Sequence, residues 1–343
     1  MTRSAVIIGG GIGGLAAARA LGRHGWQVRV HERAGSLPTS GTMLAMWPHA
    51  MRALDLIGAA DPVRRHGAQL GEHAPDAALR TADGRVLVVM KGRLDPCMIS
   101  RPDLLAALAE DVDITFGSPV DDPAAQEADV VIGADGTFSR TRSQTFGDRQ
   151  WARSLGAVAW RGTIPGTVAE YGETWAPGAL FGITPTGLDA TNYYACIRAD
   201  APFAGPHLPR LRELFGDWPA GVQQVLARLE EESILHHELF ETPRLRSYVR
   251  GSIALLGDAA HAMGPFLGRG ACEALVDGVT LGESLAASAD VEQGLADYDR
   301  SRRRRTQRLI VASRTIGGLA MLDRGHSIRN ALLGAAGRLT RGR

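Results

Sequence analysis

Near its start the chain reads Ser4-Ala-Val-Ile-Ile8, then Gly9-Gly-Gly11-Ile-Gly-Gly14, then Leu15-Ala-Ala-Ala-Arg-Ala-Leu21. The apolar run before the glycines predicts a short buried strand, and the Ala- and Leu-rich run after them predicts a helix. A second strand is predicted over Gly25-Trp-Gln-Val-Arg-Val-His31, and Glu32 follows it. A G-x-G-x-x-G turn between a strand and a helix, completed by a second strand within about 30 residues, predicts a βαβ unit that binds a dinucleotide.

The residues of this first turn have separate physical roles. Gly9 permits the tight turn, Gly11 lets the backbone approach a pyrophosphate, and Gly14 lets the helix pack closely on the strand. Glu32 is placed to accept a hydrogen bond from a ribose hydroxyl, and its charge argues against a 2′-phosphate there. Arg33 is either a neighbour of the phosphate or adenine or a solvated side chain. The motif alone does not separate FAD from NAD.

Two later stretches repeat the pattern of an apolar strand that runs into a glycine turn. The first is Ala128-Asp-Val-Val-Ile-Gly-Ala-Asp135-Gly136, and the second is Ser252-Ile-Ala-Leu-Leu-Gly-Asp258-Ala-Ala-His261. Asp258 can accept hydrogen bonds from sugar or ribityl hydroxyls. Beyond Pro265, the segment Gly268-Arg-Gly-Ala-Cys272 opens a predicted helix and presents backbone N–H groups to an anionic or electron-rich ring edge.

Taken in this order, the three turns resemble those of the class A flavoprotein monooxygenases, the p-hydroxybenzoate hydroxylase-like family. Residues 41–54 look like the loop and helix that follow the Glu-Arg pair in that family. Ile99-Ser-Arg101-Pro-Asp-Leu-Leu105 looks like its Arg-bearing helix start, whose Arg contacts the flavin. The resemblance covers residues 3–315. The sequence has no second strand–G-x-G-x-x-G–helix unit, which fits a family that lacks a separate nicotinamide domain.

The resemblance implies an α/β fold in which a Rossmann-type FAD-binding domain is interleaved with a β-sheet substrate domain, followed by C-terminal helices. Short strand patterns over residues 84–90 and 157–198, separated by Gly, Pro and Asp, are typical of such a sheet. The expected parts are an FAD-binding domain over residues 1–68, 99–155 and 250–300, a substrate domain over 69–98 and 156–249, and C-terminal helices over 301–343.

The resemblance also implies the chemistry. Non-covalently bound FAD is reduced by NAD(P)H and reacts with O2 to a flavin C4a-hydroperoxide, which hydroxylates or epoxidises a small aromatic or polycyclic substrate. The oxygen chemistry then belongs to the cofactor, and the protein supplies positioning, dryness and electrostatics. The residues expected to hold the flavin are Gly9, Gly11, Ile12, Gly13, Gly14, Glu32, Arg33, Gly41, Thr42, Arg101, Val120, Asp135, Asp258, Pro265, Gly268, Arg269, Gly270, Ala271 and Cys272.

Four residues are candidates for a catalytic role. A phenolic substrate reacts better as a phenolate, so a base or a cation beside it would help. The candidates are His49, Arg161, Tyr193 and its neighbour Tyr194. His49 stands where relatives often have Asn, which would place a titrating group there. Each of the four is also compatible with simple packing or with surface exposure.

The turn after Pro265 departs from the family pattern. Leu267 and Arg269 fill places where relatives often have Gly and Gln, and Cys272-Glu273 replaces a common Asn. We expect Leu267 to stiffen the turn. We expect Arg269 to stabilise reduced, anionic flavin or to attract an acidic substrate.

Composition excludes several classes of protein. The chain has 343 residues, 42 of them Gly, with 38 basic and 37 acidic residues and a net charge of +1, so charge gives no case for a nucleic-acid partner. Three scattered cysteines predict a reducing compartment, no disulfide framework and no metal site. No apolar run reaches the about 18 residues of a membrane span, and the glycine pattern argues against a signal peptide. We expect a cytoplasmic protein, as a monomer or a homodimer.

Some alternatives stay open on the sequence. Arg302-Arg-Arg-Arg305 is either a nucleic-acid or membrane patch or a solvated helix face, and the neutral chain favours the second. A halogenase is disfavoured because no two of the six Trp residues lie two apart, so Trp-x-Trp-x-Ile-Pro is missing. Oxidation or rearrangement without net oxygen insertion is an alternative reaction. A binding protein that keeps the fold without turnover is an alternative from another class.

Overall fold

The computed structural model describes residues 2–71, 75–90, 96–147, 150–199 and 201–341. The chain divides into two units, each built from segments that are distant in sequence. The first unit is Met1–Gly67, Ile99–Arg153 and Phe240–Arg314, and the second is Ala68–Met98, Ser154–Leu239 and Thr315–Arg343. The predicted α/β organisation, with two interleaved parts, is confirmed.

The strands of the described residues are β1 (Ser4–Ile8), β2 (Gln27–Glu32), β3 (Met43–Met46), β4 (Ala68–Gln69), β5 (Ala77–Thr81), β6 (Val86–Met90), β7 (Cys97–Ser100), β8 (Ile114–Phe116), β9 (Val130–Gly133), β10 (Arg153–Pro165), β11 (Tyr171–Ala176), β12 (Ala179–Pro185), β13 (Ala190–Arg198), β14 (Leu235–Glu241), β15 (Val249–Arg250) and β16 (Ile253–Leu255). The helices are α1 (Ile12–Arg23), α2 (Pro48–Leu56), α3 (Ala60–His66), α4 (Arg101–Ala109), α5 (Arg140–Phe146), α6 (His207–Phe215), α7 (Ala220–Arg228), α8 (Asp258–His261), α9 (Gly270–Ala287), α10 (Val291–Ala320) and α11 (His326–Arg341). Short 3-10 turns occupy Pro123–Ala125, Glu231–Ser233 and Pro265–Leu267. Within the described ranges, none of these helices is both long enough and apolar enough to cross a membrane.

The first unit contains a mostly parallel sheet with the strand order β15-β16-β9-β1-β2-β8. Strand β1 lies between β2 and β9 and is parallel to both, and β16 is parallel to β9. In this register Ile8 is opposite Gly133, which is in turn opposite Leu255. The carboxyl ends of β1, β9 and β16 therefore lie side by side, and each is followed by one of the three predicted glycine turns.

Glycines allow α1 and α9 to pack closely against each other in the first unit. A Cβ on Gly278 would lie 2.5 Å from the carbonyl oxygen of Gly13, and a Cβ on Gly282 would lie 2.4 Å from the Cβ of Ala20. Real Cβ atoms do not approach other atoms so closely, and an alanine at either position would push the helices apart. Part of the glycine excess therefore serves the packing of two helices and not the turns.

The second unit contains a sheet of seven strands, counted over the residues that the structure describes, in the order β14-β10-β13-β12-β11-β5-β6. Antiparallel pairing of β10 with β13 places Arg161 opposite Tyr194 and Gly162 opposite Tyr193. Neighbouring side chains on a strand point to opposite faces, so Arg161 and Tyr194 share one face and Tyr193 lies on the other. The face with Tyr193 forms an apolar core with α6 and α7, in which Phe215 is fully buried.

One predicted boundary differs from the observed division between the units. The prediction began the last segment of the FAD-binding domain at residue 250, whereas the last segment of the first unit begins at Phe240. The Glu241 carboxylate forms an ion pair with Arg314 of the same unit. This contact joins the start of that segment to α10, which the strand pattern did not indicate.

The region predicted as a separate set of C-terminal helices, residues 301–343, is shared between the units. Its first part, in α10, belongs to the first unit, where Arg302 forms an ion pair with Asp277. Its last part, with α11, belongs to the second unit, where the Arg329 guanidinium lies 5.2 Å from the centre of the Trp175 ring. Contacts with distant residues therefore assign each stretch to a unit. Residues 342 and 343 lie outside the described residues.

Candidate functional site

The first glycine turn joins β1 to α1 in the first unit. Gly9 has a φ of +113°, and a Cβ on it would lie 2.3 Å from the carbonyl oxygen of Ala134. A Cβ on Gly14 would lie 2.1 Å from the carbonyl oxygen of Gly9. Gly11 differs, because a Cβ on it would meet nothing within 4 Å. The chain itself requires the first two glycines, whereas Gly11 borders open space at the N-terminus of α1, where free N–H groups favour an anion.

Glu32 lies at the end of β2 and connects this strand to the first turn. Its Oε2 accepts a hydrogen bond from the Gly10 N–H at 2.7 Å, and its Oε1 accepts one from the Ala34 N–H at 2.8 Å. Each carboxylate oxygen can accept a further bond. Glu32 therefore organises the strand end and keeps capacity for a ribose hydroxyl.

A cavity of about 520 Å³ opens beside this turn, and its lining includes Gly11, Glu32, Arg33 and Arg101. Two guanidinium groups, a carboxylate and a helix N-terminus thus border one space. The structure brings together three segments that the sequence predicted for one ligand, namely the first glycine turn, the end of β2 and the start of α4, and residues 34–40 complete the wall. This set fits a nucleotide with a diphosphate and a ribose.

A larger, open groove of about 920 Å³ lies elsewhere in the first unit. Its lining includes Asp129, Gly251 and Ser252, which precede β9 and β16, together with Glu292 and Arg300. In open α/β sheets ligands bind at the carboxyl ends of the strands, and these residues mark the amino ends. We therefore take the smaller cavity, at the glycine turns, as the candidate site.

The second turn, after β9, uses its predicted ligand residue internally. The Asp135 carboxylate accepts hydrogen bonds from the Ser139 hydroxyl at 2.5 Å and from the backbone N–H and hydroxyl of Thr141, each at 3.0 Å. These bonds shape the start of α5, where Ser139 is also the N-cap residue. Asp135 therefore has a role in the turn itself, which the motif did not indicate.

Arg142, which the sequence reasoning missed, ties the second turn to the third. Its side chain has no exposed surface. It donates to the carbonyl oxygens of Thr137 and Ala259, each at 2.8 Å, and to that of Gln150 at 2.6 Å. A guanidinium that satisfies three carbonyl groups holds distant loops together. No motif signals this role, because arginine in a turn ordinarily reads as a surface residue.

The third turn, after β16, leaves its acid open. The Asp258 side chain is exposed, and within the described residues its carboxylate receives one long hydrogen bond, 3.5 Å from the Thr137 hydroxyl. Asp258 therefore differs from Asp135, whose oxygens are occupied. The open carboxylate matches the expected acceptor for sugar or ribityl hydroxyls.

The segment from Pro265 to Cys272 forms a 3-10 turn and then opens α9. Gly268 has a left-handed φ of +59°, and a Cβ on Gly268 or Gly270 would meet nothing within 4 Å. The Trp47 Nε1 donates to the Gly268 carbonyl oxygen at 3.3 Å. Burial raises the pKa of the Cys272 thiol to about 11, so this residue is a packed neutral thiol. Its backbone, with that of Arg269 and Ala271, borders the open side of the turn.

The other predicted flavin residues have structural contacts of their own. A Cβ on Gly41 would lie 3.0 Å from the Cβ of Arg101, and the Thr42 carbonyl oxygen accepts the Arg101 N–H at 3.2 Å. Thr42 is buried. Val120 packs against the apolar cluster of Val6 and its neighbours on the sheet. Gly41 and Thr42 thus position Arg101 at the start of α4.

The predicted catalytic residues fall into different units. His49 lies on α2 of the first unit, and its Nε2 is 3.5 Å from a carboxylate oxygen of Glu273. Arg161 and Tyr193 lie in the second unit, on opposite faces of the sheet. Tyr193 has no exposed surface, and burial together with the charge of Glu231 raises the pKa of its hydroxyl well above the ordinary value. The structure therefore separates Tyr193 from Arg161 and places Tyr194 beside Arg161.

The face of the sheet that carries Arg161 contains polar residues that the sequence reasoning missed. The Tyr194 hydroxyl donates to one oxygen of Glu173, and Trp175 Nε1 donates to the other at 2.6 Å. Burial and the neighbouring Arg161 lower the pKa of His237 to about 4, which keeps this ring neutral. We call Arg161, Glu173, Trp175, Tyr194 and His237 the polar face. Strand alternation predicts such a face, but only the register shows which residues share it.

A buried ionic cluster lies between α9 and α10 of the first unit. Arg302 donates from Nε to Asp277 at 2.6 Å and from Nη2 to Glu273 at 2.5 Å, and His261 Nε2 bonds to Asp277. Burial opposes the charge of Asp277, but His261 and Arg302 outweigh it and hold the pKa of this carboxyl at about 2. In the described parts of the chain, no group of three or more His, Cys, Asp or Glu side chains is arranged to hold a metal ion.

The four arginines of residues 302–305 are therefore not one solvated face. Arg302 is buried in the cluster, and Arg303 forms an ion pair with Asp299 at 3.0 Å. Arg305 Nε lies 3.7 Å from Glu273. Most of the positive charge of the run is thus matched by carboxylates of the same unit, which weakens the case for a nucleic-acid or membrane patch.

Comparison with known proteins agrees with this geometry. Residues 2–313 match a protein family described as FAD binding domain. The chain is 29% identical to aurachin C monooxygenase/isomerase of Stigmatella aurantiaca, over 93% of this chain and 90% of that protein. It is 32% identical to 2-heptyl-3-hydroxy-4(1H)-quinolone synthase of Mycobacteroides abscessus, over 97% of this chain and 94% of that protein. Its fold is that of Klebsiella pneumoniae HpxO, crystallised with FAD and uric acid, at a TM-score of 0.88 and 23% identity over 99% and 95% of the two chains.

The chain therefore belongs to the FAD-dependent aromatic monooxygenases. It is a flavoprotein oxidoreductase with FAD as its cofactor, and NAD(P)H is the co-substrate typical of the family. The resemblance that rests on the three turns is confirmed. The role of each single residue stays a prediction.

Proposed function

We propose that this monooxygenase oxidises a planar nitrogen heteroaromatic compound that carries a ring carbonyl or hydroxyl group. One relative is named for a 4(1H)-quinolone. HpxO, which has the same fold, was crystallised with uric acid. The observation that carries the proposal for this chain is the polar face of the second unit, in which Arg161 lies directly opposite Tyr194.

The polar face offers complementary groups to such a ring. Arg161 can donate to a ring oxygen that bears negative charge, and Glu173 can accept from a ring N–H. The Tyr194 ring supplies flat apolar surface, whereas the Trp175 ring is buried and in contact with the Arg329 guanidinium. The side chains of Arg161, Tyr194 and Glu173 are half-buried, so part of this face is open to a ligand. A cation, an acceptor and aromatic surface on one face favour a planar compound with both a carbonyl and an N–H group.

The first unit fits FAD on its own observations, which are the open space at Gly11, the lined cavity and the open Asp258. In this proposal Arg33 and Arg101 hold the diphosphate, Glu32 the ribose and Asp258 the ribityl hydroxyls. The backbone of residues 268–272 borders the flavin ring. FAD bound there would supply the redox chemistry, with electrons from NAD(P)H and oxygen from O2.

A substrate panel tests the proposal. Flavin-loaded protein is mixed with NADH or NADPH and with 2-alkyl-4(1H)-quinolones, hydroxyquinolines or simple phenols, and cofactor oxidation is followed by absorbance. We expect a quinolone to stimulate oxidation most and its N-methylated analogue, which lacks the ring N–H, to act poorly. Arg161→Ala should raise KM for the quinolone about 10- to 100-fold, because a charge-assisted hydrogen bond is lost. A panel in which no nitrogen heterocycle stimulates oxidation would contradict the proposal.

A second reaction is favoured by one observation, the name of the Stigmatella relative, which joins monooxygenase to isomerase. The same site would then catalyse an oxidation or a rearrangement without net oxygen insertion. Labelled O2 separates the two reactions, since hydroxylation or epoxidation carries the label into the product. A product without label would support the second reaction.

We place this activity in the cytoplasm. Cys196 and Cys272 are free thiols, and both are buried. Burial and the charge of Glu173 raise the pKa of Cys196 to about 12, which keeps this thiol unreactive. Free thiols fit a reducing compartment, and fractionation of expressing cells would test the location.

A further inference from the structure

His49 lies on the first turn of α2, and this turn packs on the segment that opens α9. Trp47 Nε1 donates to the Gly268 carbonyl oxygen at 3.3 Å, and the Cys272 thiol donates to the Ala45 carbonyl oxygen at 3.1 Å. These bonds fasten the start of α2 to the turn that we propose borders the flavin ring. His49 is therefore held beside that turn, within the first unit.

The His49 ring faces a buried carboxylate. Its Nε2 lies 3.5 Å from Oε1 of Glu273, a side chain with no exposed surface. Within the described residues neither atom has a hydrogen-bond partner, although both are buried. A buried acceptor without a donor is costly, and His49 Nε2 is the donor that the fold brings to this oxygen. A hydrogen on Nε2 is therefore the arrangement that satisfies both atoms.

The other oxygen of Glu273 is already occupied. Its Oε2 accepts a hydrogen bond from Arg302 Nη2 at 2.5 Å, and Arg305 Nε lies 3.7 Å away. Arg302 is itself anchored by Asp277. The Glu273 side chain is thus held on one side by arginine, and its remaining acceptor points to His49.

Burial and three nearby arginines lower the pKa of His49 and so favour its neutral form. Burial lowers the pKa of His49 below its ordinary value of 6.5, and Arg269, Arg305 and Arg302 lower it further, while Glu273 raises it. With a hydrogen on Nε2, the neutral ring carries a free lone pair on Nδ1. Nδ1 makes no hydrogen bond within the described residues, and the side chain is 19% exposed. The ring therefore offers a proton acceptor on its accessible side.

His261 shows what His49 would be without this exposure. Both histidines contact a carboxylate of α9, and Arg302 joins the two carboxylates. His261 has no exposed surface, so it cannot reach a ligand. Of the two carboxylate–histidine pairs, His49–Glu273 is the one whose histidine has exposed surface.

The geometry points to His49 as the proton acceptor for the substrate and to Glu273 as the positioning residue that fixes its tautomer. This inference rests on the proposed function. The O–H or N–H bond of the heteroaromatic substrate breaks, its electron pair stays on the ring, and the proton passes to Nδ1 of His49. Glu273 stabilises the imidazolium that forms. The deprotonated ring is more electron-rich and therefore more reactive toward oxygen transfer.

The tautomer can be measured without any substrate. Heteronuclear NMR of labelled histidine in the flavin-loaded protein should show His49 protonated on Nε2, with a pKa below 6.5. Glu273→Gln removes the charge that raises this pKa and should lower it further. Glu283→Gln is the matched control. Glu283 lies on α9 like Glu273, but its contact with His24, at 3.0 Å, is an exposed pair. This variant should leave the tautomer and the pKa of His49 unchanged. A ring protonated on Nδ1 would overturn the inference.

The pH dependence of kcat/KM gives the second readout. A base accepts a proton only when neutral, so activity should be lost as the pH falls through the pKa of His49. His49→Gln keeps an N–H donor for Glu273 but removes the titrating group. Because it leaves the bonds of Arg302 intact, it remains a usable test even if Glu273→Gln fails to fold. We expect this variant to keep its flavin, to lose the acidic limb and to fall about 100- to 10,000-fold in kcat/KM at neutral pH.

The outcomes separate this inference from the proposed function. If His49→Gln retains the acidic limb and the rate of the unaltered protein, His49 is not the acceptor. If the unaltered, flavin-loaded protein oxidises no heterocycle of the panel, the proposed function is wrong. In that case the NMR measurement still stands by itself. If His49 is protonated on Nε2 in the unaltered protein and loses this preference in Glu273→Gln, Glu273 is the residue that positions His49.

Discussion

The turns of the first unit contain two kinds of glycine. At Gly9 and Gly14 an added Cβ would lie 2.3 and 2.1 Å from backbone oxygens, so the fold itself excludes a side chain. At Gly11 and Gly270 an added Cβ would meet nothing within 4 Å. The first kind is explained by packing of the chain. We propose that the second kind leaves space for a ligand, although glycines of both kinds occur in the first turn.

The two aspartates of the later turns divide in the same way. Asp135 accepts three hydrogen bonds inside its own turn, whereas the exposed Asp258 receives one long bond. Motif membership therefore does not show whether a residue serves the fold or the cofactor. Variants at these positions can break or sharpen the distinction, because one kind should change stability and the other flavin affinity.

The largest effect is expected for Gly14→Ala. The added Cβ would collide with the Gly9 carbonyl oxygen, and backbone must move to relieve the contact. We expect the free energy of unfolding of the flavin-free protein to fall by about 3 kcal/mol, measured by urea denaturation.

Gly22→Ala is the matched control for that variant. Gly22 lies in the same helix, and a Cβ there would meet nothing within 4 Å. It should gain about 0.5–1 kcal/mol from the better helix propensity of Ala. Equal stability of the two variants would show that the start of α1 adapts, and that the fold does not require Gly14.

A smaller effect, on affinity alone, is expected for Gly11→Ala. Since the Cβ enters open space, the unfolding midpoint of the flavin-free protein should stay unchanged. The FAD dissociation constant should rise about 10- to 100-fold, because the pyrophosphate loses close contact with backbone N–H groups. Quenching of flavin fluorescence on binding measures this constant. Unchanged affinity would mean that the open space beside Gly11 does not hold the cofactor.

The smallest effect is expected for the aspartate pair. Asp258→Ala should raise the FAD dissociation constant about tenfold and leave stability unchanged, since the lost acceptor serves hydroxyl groups of the ligand. Asp135→Ala should instead destabilise the flavin-free protein by about 1–2 kcal/mol, because the donors of Ser139 and Thr141 lose their partner. Thermal denaturation of both variants measures the change in stability, and flavin titration measures the change in FAD affinity. Two variants with the same profile would remove the distinction.

The sequence predicted the first unit well for a local reason. A glycine turn between a strand and a helix is specified by adjacent residues, and three such turns in one order identify a family whose chains fold alike. The βαβ unit, the later turns and the family are accordingly confirmed. The last segment of the first unit begins at Phe240, ahead of the predicted residue 250, and its Glu241 forms an ion pair with Arg314, far away in sequence.

The catalytic candidates were harder to predict, since they depend on strand register. Tyr193 and Tyr194 are neighbours of the same type, and no local signal shows which of them lies on the face of Arg161. Pairing of β10 with β13 decides it, because a shift by one residue would exchange the two faces. The partners of Arg161 on that face, Glu173 and Trp175, come from β11 and carry no motif of their own.

The sequence by itself determined the family, the cofactor and the three glycine turns, because turn chemistry and glycine spacing are local properties of the chain. The tertiary structure alone decided which glycines the fold requires, which aspartate carboxylate keeps its acceptor capacity and which carboxylate His49 contacts. These properties depend on contacts between residues distant in sequence, such as His49 with Glu273 and Glu273 with Arg302. Spacing along one chain cannot encode such contacts until strands and helices are packed.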